Sequence, residues 1–233
     1  VAHDDTIKRN HRMFYLPGVE TGRLAGNPIN EELMEAVHMV KPHFLLNVVL
    51  NKDKEISGVF AGHYVIAHVK GTELVEKIYK VVAEEPADVV VASGGGFPRD
   101  VNFRQAHKSL DHAVHVLKPG GVMVFIAGCA DGVGDAEGFV DWLGRSRDAD
   151  ELAKMVEKDY SVGGMKAYFV RKLAHDYKII MHTKIPQDDL DLMGFESSAT
   201  AQDAVDRAAS IAGRGARWCI IPDASAMFPV PAV

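Results

Sequence analysis

The spacing of apolar residues in the first third of the chain predicts helices joined to one hairpin. Apolar positions recur at helical intervals over roughly residues 4–15, 27–40 and 63–80. Between the second and third helices, two β-rich runs at residues 43–51 and 55–62 surround the charged segment NKDK. Such a pair is typical of a β-hairpin. The segment has few elements for an independent domain, so it is predicted to be the tail of an N-terminal α/β domain.

From Pro86 onward the pattern changes to short continuous apolar runs, each separated from the next by glycine-containing turns and amphipathic segments. The runs are strand-sized: ADVVVAS, VMVFIAG, KIIMHT and RWCIIP. A helix is predicted over roughly residues 101–117, ended by KPGG. Strand, glycine turn and helix in repetition indicate a mainly parallel sheet covered by helices. We therefore expect an α/β protein with a Rossmann-like C-terminal domain at residues 86–233, preceded by residues 1–85 as the remnant of the N-terminal domain.

Composition narrows the class of protein. The 233 residues are 47% hydrophobic and 25% charged, with a formal net charge of −6, and the cations are interspersed with acids. This balance argues against a nucleic-acid partner and against a polybasic membrane patch. No apolar run is long enough to span a bilayer, and no signal peptide is visible. Cys129 and Cys219 lie in apolar stretches and are expected to be core thiols, which favours a cytoplasmic location.

Two glycine-rich loops follow predicted strands, SGGGFP at residues 93–98 and GCADGVGD at residues 128–135. Ligands of parallel sheets bind at the carboxyl ends of the strands. Glycines such as Gly94, Gly95 and Gly132 let main-chain N–H groups approach an anion. The alternative is that they only form tight strand-to-helix turns. Neither loop contains a GxGxxG or GxxxxGK[ST] phosphate motif, so a nucleotide-dependent dehydrogenase or kinase gains little support.

The helix after the first loop carries a polar pair opposite its apolar face. The apolar face is formed by residues at 3/4 spacing: Phe103, Ala106, Leu110, Val114 and Leu117. Gln105 and Lys108 are three residues apart and therefore neighbours near the start of the helix. An amide beside an ammonium can receive a carboxylate; the alternative is an ordinary solvated surface.

The histidines give weaker evidence for a functional site than the loops and the polar pair do. His107, Asp111 and His115 recur every four residues, and we interpret this row as a solvated stripe rather than a metal site. His11 ends the segment TIKRNH, and its chemistry alone does not distinguish it from a structural histidine.

Several ordered motifs resemble the nickel-pincer-dependent lactate racemase family. GGGFPRDVNFRQAHKSL is similar to that family's GG[YF]PxDxNxxQxxK motif, and CADGVGDAEGF to its DGxG segment. TIKRNH resembles the TIxxNH element that supplies a nickel ligand. GRLAGNPINEEL, NVVLNKDKEISGVFAG and GGMKAY match in the same order, so the resemblance covers nearly the whole chain.

The resemblance implies an isomerase that racemises or epimerises a short, lactate-like 2-hydroxy acid. Hydride would move from the α carbon to a nickel pincer nucleotide and return to the other face. It further implies that His11 binds nickel, that Gln105 and Lys108 bind substrate, and that Lys108 acts catalytically. The cofactor-binding residues would be Gly94, Gly95, Asp131 and Gly132.

The resemblance also implies a missing partner, the N-terminal domain of the same protein. In the family, the lysine that tethers the cofactor and the acid–base histidines precede the position of His11, so this chain alone is expected to be inactive. Arg104 replaces a residue that is commonly aromatic, which suggests a larger or more anionic hydroxyacid. The alternative function is a non-enzymatic domain that binds a nucleotide or hydroxyacid.

Overall fold

The computed structural model describes residues 3–134 and 138–232 and divides the chain into two compact units. The first unit is Val1–Lys80 and the second is Val81–Val233. Asp135, at the end of the second glycine loop, lies outside the described residues.

The described part of the first unit contains three α-helices, one 3-10 turn and an antiparallel hairpin. Its elements are α1 (Asp4–His11), the 3-10 turn (Arg12–Tyr15), α2 (Pro28–Val40), β1 (Leu45–Leu50), β2 (Ile56–Gly62) and α3 (Tyr64–Tyr79). The predicted hairpin is confirmed, since β1 pairs antiparallel with β2. Its turn is held by Asn51, whose Oδ1 accepts from the N–H groups of Asp53 and Glu55, each at 2.9 Å. The charged NKDK segment therefore closes the hairpin.

The second unit alternates strands and helices. Its strands are β3 (Lys80–Ala83), β4 (Ala87–Ser93), β5 (Leu117–Ile126), β6 (Lys178–His182), β7 (Glu196–Ser197), β8 (Trp218–Ile221) and β9 (Phe228–Pro231). Its helices are α4 (Phe103–Val114), α5 (Phe139–Arg145), α6 (Ala149–Lys158), α7 (Val162–Asp176), α8 (Gln187–Met193) and α9 (Ala201–Ala212).

The main sheet has five strands in the order β7-β6-β5-β4-β8, and every neighbouring pair is parallel. This confirms the predicted parallel α/β fold. From β4 the chain adds β5, β6 and β7 on one side, whereas β8 pairs on the other side of β4. The order therefore reverses between β4 and β8, the kind of position at which open α/β sheets bind ligands.

Alternating residues of the central strands form the core beneath α9. Val89, Val124 and Ile180 are buried and pack with Ala204 and Ala208 of that helix. Small residues on α9 let the helix backbone approach the sheet closely. The continuous apolar runs in the sequence reflect this arrangement, because central strands are buried on both faces.

The segment KPGG was predicted wrongly as a break between helix and strand. Helix α4 ends at Val114, and Leu117 belongs to β5, where it pairs with Ala87. The register shifts after Ala87, and Gly120 has a φ of 76°. An irregularity of this kind takes up extra residues without ending the strand. The short strands β3, β7 and β9 were not predicted.

Cys129 is buried, Cys219 is half-buried, and both are free thiols. Across residues 3–134 and 138–232, no helix combines the length and apolar character that a bilayer span requires.

We predict that Arg171→Met destabilises this chain by about 2–3 kcal/mol, because it leaves two carbonyl groups without their charged donor. Arg171 is only 4% exposed and donates to the carbonyls of Leu143, at 2.8 Å, and Ser146, at 3.1 Å, at the end of α5. Urea unfolding measures the change. The matched control is Lys172→Met, whose exposed ion pair with Asp176 contributes about 0.5 kcal/mol or less. Equal losses in both variants would contradict this role of Arg171.

Candidate functional site on helix α4

Helix α4 begins at a side-chain cap. The side chain of Asn102 accepts a hydrogen bond from the N–H of Gln105 at 3.1 Å. A Cβ at Gly134 would lie 2.8 Å from the Asn102 carboxamide, so the second glycine loop passes directly against the cap. Glycine at this position therefore lets the loop and the helix start meet.

The same loop also occupies the first two N–H groups of the helix. The N–H of Phe103 donates to the carbonyl of Gly132 at 3.0 Å, and that of Arg104 donates to the carbonyl of Val133 at 3.1 Å. With the cap, three of the N–H groups that a helix start leaves unpaired have partners within the chain. An anion near α4 would therefore be bound by side chains rather than by the helix terminus.

Asp100 joins the two glycine-rich loops. Its carboxylate accepts from the N–H of Gly128 at 2.8 Å, and its carbonyl accepts from the N–H of Cys129 at 2.9 Å. The next residue, Val101, accepts from the N–H of Asp131 at 2.9 Å. These bonds fix the loops that follow β4 and β5 against each other at one edge of the sheet.

The four predicted cofactor-binding residues all use their N–H groups internally. Those of Gly94, Gly95, Asp131 and Gly132 donate to oxygens of the chain at 2.8, 3.2, 2.9 and 2.9 Å. Gly95 has a φ of +89°, and a Cβ there would lie 2.5 Å from Ser225 Oγ. In this conformation a cofactor would meet these loops through their Cα surfaces or the Asp131 carboxylate. The cofactor roles of the four residues remain a prediction.

Gln105 and Lys108 are brought together as their spacing predicts. Lys108 Nζ donates to Gln105 Oε1 at 3.2 Å, with Lys108 exposed and Gln105 half-buried. Because Oε1 accepts this bond, the Gln105 amide N–H groups face away from the ammonium. The pair thus presents an ammonium and an amide donor on one face of α4.

Sequence reasoning missed a third polar residue, Lys166 on α7. Burial, together with the nearby positive charges of Arg104 and Lys108, lowers its pKa to about 8. Arg104, Lys108 and Lys166 therefore form one group, here called the cationic cluster. A small cavity beside the cluster is lined by Phe103, Arg104, His107, Val133, Phe139, Lys166 and Val170.

Close helix packing places Lys166 in this cluster. Ser161 caps α7 by accepting from the N–H of Gly164 at 2.9 Å. A Cβ at Gly164 would lie 2.9 Å from the Trp142 ring and 2.8 Å from Val156, so glycine allows the first turn of α7 to touch α5 and α6. Lys166 follows two residues later. The sequence signal was GGMKAY, which the family resemblance includes without giving its lysine a role.

His107 is not solvated as the stripe interpretation predicted. It is half-buried, lines the cavity, and places Nδ1 2.7 Å from the carbonyl of Arg104. Burial lowers its pKa to about 4, assisted by the charge of Lys166. Asp111 is half-buried and only His115 is exposed. Among the described residues, no three His, Cys, Asp or Glu side chains are grouped to hold a metal ion.

His11 lies exposed at the end of α1, in the first unit. Its Nδ1 is 2.9 Å from the carbonyl of Ile7, which can only accept, so Nδ1 carries the proton. Asn10, another possible partner, instead donates to Ile29 and Glu32. A neutral imidazole held in this way has its lone pair on Nε2, the state in which histidine binds metals.

Comparison with known proteins identifies the family. The sequence profile described as "Lactate racemase C-terminal domain" matches residues 82–228. A lactate racemase of Lactiplantibacillus plantarum is 31% identical over 96% of this chain, and one of Thermoanaerobacterium thermosaccharolyticum is 32% identical over 96%. This chain belongs to the lactate racemase family, as its motifs indicated. It spans about half of these relatives, 54% of each.

A solved structure agrees with the sequence comparison. The lactate racemase apoprotein of Thermoanaerobacterium thermosaccharolyticum superposes with a TM-score of 0.87 at 31% identity, covering 96% of this chain and 55% of that one. The parallel α/β fold is thus shared with a member of the family.

We predict that Lys166 titrates near pH 8, because burial and two neighbouring cations oppose its protonation. NMR of ¹³Cε-labelled lysine measures this directly. Since the folded pKa lies below the ordinary value of 10.5, the unfolded chain binds more protons between these values. The contribution of Lys166 to stability therefore rises with pH across that window.

The neighbouring charges provide matched variants for this titration. Arg104→Gln raises the midpoint of Lys166 more than Lys108→Gln does, because Arg104 exerts the larger effect. Lys172→Gln, on the same helix but paired with Asp176, leaves it in place. A midpoint near 10.5 in the unaltered chain would show that the cluster does not form in solution.

Proposed function

We propose that this chain is the C-terminal portion of a racemase or epimerase that acts on a short 2-hydroxy acid with a nickel pincer nucleotide. The observation that carries the proposal is the contact between Lys108 and Gln105 on α4, in a chain whose relatives are named lactate racemase. The whole enzyme would include the N-terminal domain as its partner.

In this proposal Lys108 and Gln105 hold the substrate. The ammonium of Lys108 attracts the substrate carboxylate and stabilises negative charge that shifts during reaction. The Gln105 amide, oriented by its bond to Lys108, donates to a second substrate oxygen and fixes the rotation of the acid. The half-buried position of Gln105 limits its rotamers, which favours one bound geometry.

One residue of this chain, His11, has a geometry that fits the cofactor. His11 places Nδ1 against the Ile7 carbonyl, so Nε2 is the atom that would bind nickel, for which imidazole is a suitable ligand. When bound, the cofactor supplies a hydride acceptor for the α carbon of the substrate. Gly94, Gly95, Asp131 and Gly132 would contact the cofactor through loop surfaces. His107 stays neutral at physiological pH and adds no charge to the α4 face.

We expect Lys108→Ala in the full-length holoenzyme to lower kcat by about two to three orders of magnitude, the scale of one lost charge-stabilising donor. Its melting temperature should change little, because Lys108 is exposed and contributes little packing. Steady-state kinetics and thermal unfolding measure the two effects. Lys154→Ala, an exposed lysine on α6, is the control and should change neither.

Two outcomes would count against this role. Loss of stability with turnover preserved would make Lys108 structural. Binding of a 2-hydroxy acid without any racemisation by the full-length holoenzyme would favour the alternative, a binding domain related to the family.

His11→Ala is expected to lower nickel retention by the full-length holoenzyme or to shift its absorption spectrum, since one nickel ligand would be lost. Metal analysis and visible spectroscopy give the comparison. His175→Ala removes another exposed histidine and should leave both unchanged. Identical nickel stoichiometry and spectra for wild type and His11→Ala would exclude His11 as the ligand.

A further inference from the structure

A continuous set of contacts joins the loop after β5 to the pair formed by Gln105 and Lys108. A Cβ added at Gly134 would lie 2.8 Å from the Asn102 carboxamide, so this loop lies directly against that side chain. Asn102 Oδ1 and the Asn102 carbonyl both accept from the N–H of Gln105, each at 3.1 Å. Gln105 Oε1 in turn accepts from Lys108 at 3.2 Å. The Asn102 side chain therefore lies between the loop and the residue that pairs with Lys108.

Backbone hydrogen bonds hold the loop at the far end of these contacts. The carbonyls of Gly132 and Val133 accept from the first two N–H groups of α4, and the N–H of Asp131 donates to the carbonyl of Val101 at 2.9 Å. The loop and the first turn of the helix thus form one hydrogen-bonded unit. Asn102 contributes to this unit through its side chain, so a substitution there removes the side-chain contact and leaves the backbone bonds in place.

Capping alone would be a structural role, and another helix of the second unit has a cap of the same kind. Thr200 caps α9 by accepting from the N–H of Asp203 at 3.0 Å. Caps of this kind contribute similarly to stability. Asn102 differs in the residue that it caps, because the side chain of Gln105 contacts Lys108. A change at Asn102 therefore affects the polar pair as well as the helix start.

We propose that Asn102 is a positioning residue: held by its contact with Gly134, it fixes the orientation of Gln105 and, through Gln105, the orientation of the bound 2-hydroxy acid. This inference rests on the proposed function, in which Gln105 and Lys108 hold the substrate. Without the Asn102 side chain, Lys108 still attracts the substrate carboxylate, because the attraction between charges depends little on direction. The Gln105 amide must meet one substrate oxygen and loses its fixed direction. Turnover therefore falls more than affinity.

Steady-state kinetics of the full-length holoenzyme test this role. Asn102→Ala should lower kcat by about ten- to a hundredfold, the scale of a small misplacement of a substrate-orienting group, and change KM by less than about threefold. Asn102→Asp should restore most of kcat, because a carboxylate oxygen accepts the same N–H bond. Thr200→Ala removes the comparable cap of α9 and should change neither constant. Equal falls in kcat for Asn102→Ala and Thr200→Ala, or no rescue by Asn102→Asp, would overturn the proposal.

A pair of glycine variants tests the same role without altering Asn102. Gly134→Ala places a methyl group against the Asn102 carboxamide, whereas Gly120→Ala adds one in β5 where no described atom beyond its chain neighbours lies within 4 Å. The φ angles of the two glycines are 73° and 76°, so both variants introduce similar backbone strain. We expect kcat to fall in Gly134→Ala and to stay unchanged in Gly120→Ala. The same kcat in both variants would contradict the proposal.

NMR of this chain distinguishes failure of this inference from failure of the proposed function. Selective ¹⁵N-glutamine labelling gives side-chain amide signals for three glutamines, Gln105, Gln187 and Gln202. Asn102→Ala and Gly134→Ala should shift the Gln105 signal, and Gly120→Ala should leave it in place. An unchanged Gln105 signal in the first two variants overturns the inference, even if the full-length holoenzyme racemises lactate. A shifted signal, with a full-length holoenzyme that racemises no 2-hydroxy acid, contradicts the proposed function and supports Asn102 as the residue that orients Gln105.

Discussion

The attachment of α4 to the loop after β5 determines how this domain can recognise a ligand. Carbonyls of Gly132 and Val133 accept the first two N–H groups of the helix, and Asn102 caps the third. These bonds fix the height and rotation of α4 above the sheet. They also occupy the N–H groups at the helix start, so an anion bound there would meet the side chains of Gln105, Lys108 and their neighbours.

The cationic cluster costs stability, which is typical of a functional site. Lys166 lies half-buried beside two cations, and this environment lowers its pKa to about 8. The close approach of α7 to α5 at Gly164 maintains this arrangement. Burial of apolar side chains elsewhere, as in the strands under α9, offsets this local loss of stability.

The sequence correctly predicted features that depend on the residues of a single segment. Apolar runs predicted β4, β5, β6 and β8, and the family motifs singled out Gln105 and Lys108. The sequence did not predict features that depend on contacts between segments far apart in the chain. The segment KPGG lies within β5 because Leu117, the residue before it, pairs with Ala87 of β4. Lys166 lies near α4 because the packing of α7 against α5 and α6 places it there. His107 was misjudged for the same reason, since it lines a cavity together with Lys166 and Val170 of α7.

In the proposed function, the full-length protein interconverts the enantiomers of a 2-hydroxy acid. The most direct measurement starts from one pure enantiomer with the full-length holoenzyme and follows both by chiral chromatography. We expect either starting enantiomer to reach the same equal mixture. An enantiomer that stays unchanged, or is converted to a keto acid that accumulates, would contradict it.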